Sequence, residues 1–261
     1  MSEFATRHGG LWVRTFGEGP PHVVALHGFT LHGGMWERVA ELVGETVAAP
    51  DLPGHALTTI KPVAMRTAVD AVVAFLAECG SPPLLLGYSQ GGRVALQVAL
   101  TRPELIGRLA VVGTSPGLEG RQRELRQAAD DGLANRIERI GLARFIDEWL
   151  ANPLVAPDRV DEETRRADRA MRLESTADGI AAALRGMGQA AVADISSRIP
   201  DLTMPVAFIA GGNDHKYVDY ALAMARALTV RADIVPGVGH NVVREAPEAV
   251  ASIVTRLLQS A

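Results

Sequence analysis

The amino-acid sequence predicts an α/β fold, in which a mostly parallel sheet is covered by helices on both faces. Short apolar runs alternate with longer amphipathic stretches over residues 1–116, and the same alternation returns after residue 200. Each run is bounded by Gly, Pro or Asp and lacks polar alternation, which is typical of strands buried on both faces. Such strand–helix repetition favours a parallel sheet joined by crossover helices.

Each predicted element follows from its place in this pattern. Six apolar runs are predicted strands, in chain order 22–26, 45–49, 83–87, 109–113, 206–210 and 232–235. Amphipathic stretches predict helices near residues 36–44, 67–79, 90–101, 217–228 and 247–259. Because these strands and helices alternate, a helix can cross over one face of the sheet between two parallel strands.

The segment 117–200 has a different composition. It shows almost no strand pattern, and it holds 13 of the 24 arginines together with 15 acidic residues. We therefore expect a core formed by residues 1–116 and 201–261, with a helical lid, residues 117–200, inserted into it. Ligands of open α/β folds bind at the carboxyl edge of the sheet, so we expect the lid to cover that edge.

The overall composition excludes several functional classes. The chain has 261 residues, a net charge of −4 and one cysteine, Cys79, which leaves no intramolecular disulfide and no multi-cysteine metal site. The negative charge offers no general attraction to nucleic acid or to an anionic membrane. No run reaches the ~18 apolar residues of a membrane span, so we expect no membrane insertion.

The same features give expectations about location and ligands. The N-terminus lacks the apolar segment of a signal peptide, and we expect a cytoplasmic protein. We expect no metal and no cofactor, because the sequence shows neither a metal-ligand cluster nor a phosphate-binding glycine loop. The sequence does not indicate an oligomeric state.

The strongest local signal is Gly87-Tyr-Ser-Gln-Gly91, which fits the Gly-x-Ser-x-Gly pattern of a nucleophile elbow. The strand 83–87 must turn sharply here into the helix that follows, which leaves Ser89 at the apex. Glycine two positions before and two positions after the serine leaves room for that turn, where a Cβ would clash. The flanking strand and helix are the context that the motif requires, so the sequence predicts a catalytic Ser89.

A serine hydroxyl reacts only when a neighbouring base accepts its proton and a third group orients that base. Two late loops supply these groups, in the chain order typical of the elbow motif. Asp214 and His240 each follow a predicted strand across a glycine-rich loop. Asp219 is a rival of Asp214 but falls within the next helix. The predicted triad is therefore Ser89, Asp214 and His240.

An oxyanion hole needs two backbone N–H groups beside the serine. Gln90 follows Ser89 directly and is predicted to supply one of them. Phe29 is predicted to supply the other, since it lies in the loop His27-Gly-Phe-Thr30 after the strand 22–26. His27 itself is expected to brace this loop rather than to carry protons.

Together these motifs resemble the α/β-hydrolase superfamily along nearly the whole chain. A narrower resemblance rests on Gly87-Tyr-Ser-Gln-Gly-Gly-Arg93 and on Pro116-Gly-Leu118 followed by an arginine-rich helix. Both elements are similar to those of the 2-succinyl-6-hydroxy-2,4-cyclohexadiene-1-carboxylate synthases of menaquinone biosynthesis. The resemblance implies the α/β-hydrolase fold, with a mostly parallel eight-stranded sheet, flanking helices and a helical lid inserted after the sixth strand.

The resemblance also implies a reaction and a set of substrate contacts. The family eliminates pyruvate from 2-succinyl-5-enolpyruvyl-6-hydroxy-3-cyclohexene-1-carboxylate, with the serine acting as a base and no acyl-enzyme formed. This substrate is a small polycarboxylate whose carboxylates are bound by arginines. The positions of this chain that match the family's substrate contacts are Tyr88, Arg93, Arg126, Trp149 and Arg172. Arg169 lies one turn from Arg172 and is a rival for the last of these.

Alternatives remain open at each of these arginines. Codon usage explains most of the excess of 24 arginines over two lysines, and a lid arginine is also typical of a solvated helix face. The guanidinium fork, however, binds a carboxylate through two parallel hydrogen bonds. Ala56 and the Gly-Gly-Asn before Asp214 depart from the family pattern without replacing a proton-transfer group.

Two enzyme classes therefore stay open. The first is the pyruvate-eliminating lyase. The second is an ordinary serine hydrolase acting on an ester, lactone or carbon–carbon bond of a small carboxylate-bearing substrate. A non-catalytic binding protein is disfavoured, because all three triad members are present.

Overall fold

An eight-stranded sheet forms the centre of the structure, a computed structural model that describes residues 1–152, 155 and 160–260. Its strands are β1 Ser2–Thr6, β2 Gly9–Phe16, β3 Val23–Leu26, β4 Val47–Pro50, β5 Leu84–Tyr88, β6 Arg108–Val112, β7 Val206–Gly211 and β8 Asp233–Val235. In space they follow the order β1-β2-β4-β3-β5-β6-β7-β8. The pairs β1–β2 and β2–β4 are antiparallel, and the later pairs are parallel. The predicted fold, with its mostly parallel eight-stranded sheet, is confirmed.

Helices cover the sheet and fill the segment between β6 and β7. The α-helices of the described residues are α1 Glu37–Val43, α2 Met65–Ala77, α3 Gln90–Thr101, α4 Gly120–Ile140, α5 Leu142–Leu150, α6 Glu162–Arg172, α7 Ala177–Met187, α8 His215–Ala227, α9 Val242–Glu245 and α10 Pro247–Gln259. The predicted strands and core helices begin and end within two residues of the observed ones. Such differences are within the normal uncertainty of element boundaries.

The run pattern did not locate β1 and β2. In β2, Leu11 and Val13 are buried while their neighbours Trp12 and Arg14 are partly exposed. Such alternation is typical of an antiparallel strand with one solvated face. A search for uninterrupted apolar runs detects strands buried on both faces and therefore passes over this edge of the sheet.

Two apolar layers hold the helices to the sheet. On one face, α2, α3 and α8 pack against the strands through a cluster that includes Val72, Val94 and Met224. On the other face, α1 and α10 pack through a cluster that includes Trp36 and Val254. Full burial of one such side chain contributes about 1.5–3 kcal/mol, so these layers fix the loops at the carboxyl edge of the strands.

The helices α4–α7 carry a small apolar cluster of their own, which includes Ile137, Phe145 and Ile180. The segment touches the core at the start of α3, where Gln90 Nε2 donates to the carbonyl oxygens of Ala183 and Met187, each at 3.2 Å. The lid thus lies against the carboxyl edge of β5. The predicted boundaries of core and lid, at 116/117 and 200/201, stay a prediction.

None of the helices in the described parts of the chain is both long enough and apolar enough to cross a membrane.

Candidate active site

The turn between β5 and α3 is strained in the way that the elbow motif predicts. Ser89 has φ +50° and ψ −107°, a conformation that L residues rarely adopt. A Cβ on Gly87 would lie 2.6 Å from the Gly91 carbonyl oxygen, and a Cβ on Gly91 would lie 2.4 Å from the Leu26 carbonyl oxygen. Both positions therefore require glycine. The strained turn presents the Ser89 side chain at the edge of the sheet.

Ser89, His240 and Asp214 form one hydrogen-bonded chain. Ser89 Oγ lies 3.1 Å from His240 Nε2, and His240 Nδ1 lies 2.7 Å from Asp214 Oδ2. A histidine held in this way donates its Nδ1–H to the carboxylate and leaves Nε2 to accept the serine proton. The structure thus brings together the three residues that the sequence predicts as a triad.

Two close loops hold the acid and the histidine in place. A Cβ on Gly211 would lie only 2.0 Å from the Gly239 carbonyl oxygen, so the backbones after β7 and β8 touch. The Asn213 N–H also donates to the Val238 carbonyl oxygen at 2.9 Å. Because the loops are tied together, the distance between Asp214 and His240 is set by backbone contacts.

Phe29 and Gln90 lie beside Ser89 in the wall of the same cavity. Within the described ranges, neither backbone N–H has an intramolecular acceptor, although the neighbouring Thr30 N–H donates to His55 Nε2 at 3.3 Å. Two free N–H groups next to the serine suit a developing oxyanion. The assignment of these two N–H groups to an oxyanion hole stays a prediction.

Two buried histidines brace the loop that carries Phe29. His27 Nδ1 lies 2.8 Å from the Gly28 carbonyl oxygen, and its Nε2 accepts from the Leu52 N–H at 2.7 Å. Burial lowers the pKa of His27 and of His55 to about 3, so both rings are neutral at pH 7. Their ring nitrogens contact backbone groups, and such contacts fit the bracing role that the sequence predicts for His27.

A cavity of about 560 Å³ lies above Ser89, between the lid and the core. This volume is within the range of small-molecule sites. The sequence-predicted residues that line it are Phe29, Ser89, Gln90, Arg93, Arg126, Trp149, Asp214 and His240. Trp149 stacks on Phe145 and meets Phe29 edge to face, so an aromatic wall faces the cationic one.

Arg93 is the deepest cation of the cavity. Its side chain is buried, Nη2 donates to the Met187 carbonyl oxygen at 3.2 Å, and Nε has no partner among the described residues. Burial lowers the pKa of this guanidinium from its ordinary value. A buried cation without a carboxylate is costly unless a ligand supplies the anion.

Arg126 reaches the cavity from α4. Its Nε donates to Asp130 Oδ1 at 2.7 Å, and its Nη1 donates to Gln189 Oε1 at 3.2 Å. The other Asp130 oxygen is buried without a partner in the described structure, and burial raises the pKa of this carboxyl group. Two of the five N–H donors of Arg126 are used in these bonds, and its Nη2 nitrogen is left for a ligand.

Arg172 and Tyr88 lie outside the lining of this cavity, although the sequence predicts substrate contacts for both. Arg172 is almost fully buried, donates from Nε to Asp168 Oδ2 at 2.7 Å, and also bonds the Thr30 hydroxyl. Tyr88 packs beneath His240, with ring centroids 5.5 Å apart. Sequence spacing does not reveal which side of α6 faces the core. In this structure the two residues support the oxyanion loop and the histidine.

The sequence analysis missed several residues of the cavity wall, of which three can bind a polar ligand. The rival Arg169 is not among them, since it pairs with Asp147 on the surface. Gln189, Lys216 and Tyr217 line the cavity instead. Lys216 carried a usable signal, because it is one of only two lysines and follows Asp214 by two residues. Gln189 carried none, because a glutamine after a helix end has no characteristic spacing.

The described residues contain no group of three or more His, Cys, Asp or Glu side chains that could hold a metal ion.

Comparisons with known proteins agree with the geometry. The model of the alpha/beta hydrolase family matches residues 23–253. A Salmonella agona (strain SL483) protein named 2-succinyl-6-hydroxy-2,4-cyclohexadiene-1-carboxylate synthase is 31% identical, over 92% of this chain and 95% of that protein. A Bacillus subtilis (strain 168) protein that carries the same name provisionally is 34% identical, over 91% of this chain and 90% of that one. The predicted resemblance to these synthases is confirmed.

Solved structures show the same fold. MenH from S. aureus superposes with a TM-score of 0.88 at 24% identity, over 95% of this chain and 97% of that chain. A thermophilic esterase from Thermogutta terrifontis, solved with malate bound, gives a TM-score of 0.81 at 25% identity, over 98% and 96%. The shared scaffold thus occurs in proteins with different names, one of them an esterase, so the function must be argued from the site.

Proposed function

Since the chain belongs to the alpha/beta hydrolase family, we propose that it is a lyase of menaquinone biosynthesis that eliminates pyruvate from 2-succinyl-5-enolpyruvyl-6-hydroxy-3-cyclohexene-1-carboxylate. One observation carries the proposal: Arg93 is buried four residues after Ser89 without an ion-pair partner among the described residues. A simple ester has no negative charge to pair with this cation, whereas a substrate carboxylate supplies the missing anion. The synthase names of the 31% and 34% identical relatives support the same reaction.

Ser89 acts as a base in this proposal. His240 Nε2, 3.1 Å away, accepts the hydroxyl proton while Ser89 Oγ takes a proton from the ring carbon that bears the succinyl group. The electron pair of that C–H bond forms a ring double bond, the existing double bond shifts, and the bond from the ring to the enolpyruvyl oxygen breaks. The released enolate takes up the proton that left the ring and becomes pyruvate.

The oxyanion hole has a clear place in this elimination. Removal of a proton beside the succinyl carbonyl moves negative charge onto the carbonyl oxygen. The N–H groups of Phe29 and Gln90, which have no intramolecular acceptor within the described ranges, are placed to stabilise that charge. Asp214 orients His240 and stabilises its charged form.

The direct test is pyruvate release from this substrate by the purified protein, followed with lactate dehydrogenase. We expect turnover by the wild type and a loss of about 10²–10⁴-fold in kcat for Ser89→Ala, because general base catalysis contributes about that much. Ser81→Ala, at an exposed serine before β5, is the matched control and keeps full activity. A wild-type protein that releases no pyruvate contradicts the proposal.

A serine hydrolase of a small carboxylate-bearing ester, lactone or carbon–carbon bond is the second candidate. The same triad serves it, and the related esterase of known structure was solved with malate, a dicarboxylate. The two candidates differ in covalent chemistry, because a hydrolase forms an acyl-enzyme at Ser89. A burst with an activated ester, together with an acyl adduct on Ser89 by mass spectrometry, would favour the hydrolase; the lyase leaves the serine unmodified.

A further inference from the structure

Three cations line the cavity at different depths. Lys216 is exposed, Arg126 has 37% of its side chain exposed, and Arg93 is buried. They come from different parts of the fold. Arg126 is on the lid helix α4, whereas Lys216 and Arg93 lie in the first turns of the core helices α8 and α3. Asp130 is the carboxylate of the wall outside the triad. Asp214 of the triad lines the wall as well, so three cations face two carboxylates and leave a surplus of one positive charge.

Gln189 connects the two outer cations. It is 1% exposed, and its side-chain oxygen accepts from Arg126 Nη1 at 3.2 Å and from Lys216 Nζ at 3.4 Å. Its side-chain nitrogen donates to Ser115 Oγ at 3.0 Å, which fixes the orientation of the amide. An amide oxygen holds both cations while leaving their charge in place, whereas a carboxylate at this position would cancel part of it.

Lys216 makes no ion pair with any residue that the structure describes, and its ammonium donates only to the amide oxygen of Gln189. Desolvation lowers its pKa most, followed by the positive charge of Arg126, whereas the carboxylate of Asp214 raises it. With one hydrogen bond to Gln189, the ammonium keeps two of its three N–H donors for an anion. A ligand carboxylate between Lys216 and Arg126 would be attracted by both.

We propose that Lys216 and Arg126 together form an outer carboxylate subsite at the junction of core and lid, and that Gln189 is the positioning residue for both cations. The proposal rests on the proposed function, whose substrate carries several carboxylates, and it adds a second anchor to the one at Arg93. The inner carboxylate lies near the reacting atoms. The outer one holds the far end of the substrate and ties the lid to the core.

Binding of a non-reacting tricarboxylate tests the subsite independently of turnover. Propane-1,2,3-tricarboxylate is titrated calorimetrically into the wild type and into Lys216→Met, Lys216→Arg and Lys61→Met. We expect about fivefold weaker binding for Lys216→Met, because a half-solvated charge pair is worth about that factor, and less than about twofold change for Lys216→Arg. Lys61, the other lysine, is exposed outside the cavity lining, and its variant binds like the wild type.

Kinetics separate anchoring from a general structural effect. Lys216→Met is expected to raise KM about fivefold with kcat within about twofold of the wild type, because Lys216 bonds no triad residue. Added salt should weaken wild-type binding more steeply than binding by the variant. Equal tricarboxylate affinity and equal salt dependence of the two proteins would overturn the outer subsite.

The role of Gln189 is tested by coupling. Gln189→Met is expected to weaken tricarboxylate binding about threefold to tenfold, and Gln189→Glu at least about tenfold, because the added charge competes with the ligand. In the double variant Gln189→Met/Lys216→Met, the combined loss should be smaller than the product of the single losses. Purely multiplicative losses would overturn the positioning role. Thermal unfolding of each variant identifies any that fails to fold, and Lys216→Met, at an exposed side chain, is then the deciding protein.

These outcomes are distinguishable from failure of the proposed function. A wild type that binds the tricarboxylate through Lys216 but releases no pyruvate keeps the subsite and removes the lyase. A wild type that releases pyruvate while Lys216→Met matches it in KM and in tricarboxylate affinity keeps the lyase and removes the subsite.

Discussion

One arginine of the core and two arginines of the lid are held in different ways. In the core, Arg93 is buried beside the elbow with no ion pair to a described residue. In the lid, Arg126 and Arg172 each pair with an aspartate four residues away on the same helix, Asp130 and Asp168. The charge of Arg93 is thus left without a carboxylate, whereas the charges of Arg126 and Arg172 are each balanced by an aspartate of the same helix.

This difference separates ligand-binding arginines from structural ones. A fully paired and buried arginine such as Arg172 has its charge balanced before any ligand arrives. An unpaired one such as Arg93 destabilises the free protein and gains an anion only from a ligand. Arg126 is intermediate, since Asp130 takes one side of its fork and leaves the other side toward the cavity.

The largest effect is expected from removing the lid's buried acid. Asp168 accepts from Arg172 and lies 3.4 Å from Arg244 Nε, so Asp168→Ala leaves two buried cations without a carboxylate. The free energy of unfolding should fall by about 3–5 kcal/mol, measured by chemical denaturation. The control is Asp147→Ala, which breaks the exposed pair with Arg169 and should cost less than about 1 kcal/mol. Equal losses of unfolding free energy in the two variants would show that a buried ion pair stabilises the fold no more than an exposed one.

Replacing the unpaired core arginine should separate activity from stability. Arg93→Met is expected to lower kcat/KM by the equivalent of about 2–5 kcal/mol, because a substrate carboxylate is left without its cation. Its free energy of unfolding should stay equal to the wild-type value or rise by about 1–3 kcal/mol, because an unpaired buried charge is gone.

Arg126→Met provides the matched contrast to Arg93→Met. It should also lose activity, but it leaves the buried Asp130 without its donor and should lower the free energy of unfolding by about 1–3 kcal/mol. Denaturation and steady-state kinetics of the two variants measure both quantities. A destabilised Arg93→Met would mean that this arginine also holds the fold.

More of the strands and site residues could be predicted from sequence in the core than in the lid. The elbow, the triad and the oxyanion loop each depend on a local pattern, namely glycines around Ser89 and glycine-rich strand ends before Asp214 and His240. Parallel strands then bring those local patterns to one edge. Strands buried on both faces also have the simplest sequence pattern, which is why six were located and the antiparallel strands β1 and β2 were not.

The lid resists prediction because its helices are rich in charge on several faces. Which arginine reaches the cavity depends on helix rotation and on partners from other segments. Arg172 bonds the Thr30 hydroxyl, and Arg169 pairs with Asp147 on the surface. Lys216, which belongs to the core, lines the cavity instead. Spacing within one helix contains no information on these contacts between segments.

The core's buried histidines should make stability depend on pH. His27 and His55 stay neutral when folded, because burial lowers the pKa of each to about 3, whereas an unfolded histidine binds a proton below about pH 6.5. The unfolded state therefore binds more protons between these values, and stability is lost as pH falls through that window. The pair alone should remove about 2.7 kcal/mol per pH unit near pH 5.

The His55→Gln variant checks this origin. Its stability between pH 7 and 4 should fall less steeply than that of the wild type, by about 1.4 kcal/mol per pH unit near pH 5, because one neutral buried ring has been removed. Ser81→Ala, at an exposed residue that carries no titrating side chain, should keep the wild-type slope. An unchanged slope in His55→Gln would place the pH dependence elsewhere.

The smallest effect should come from the lid's exposed ion pairs, even where their geometry is good. Arg136 makes two hydrogen bonds to Glu148, at 2.9 and 2.8 Å, but both side chains are about 40% exposed. Glu148→Gln should therefore lower the free energy of unfolding by less than about 1 kcal/mol, and about 1 M salt should abolish the difference. Asp168→Ala should keep its full loss in the same salt, because buried pairs are screened much less. If salt reduces both losses alike, solvent reaches the ion pairs of Asp168 with Arg172 and Arg244. Burial would then not explain why these lid pairs stabilise the fold more than exposed pairs do.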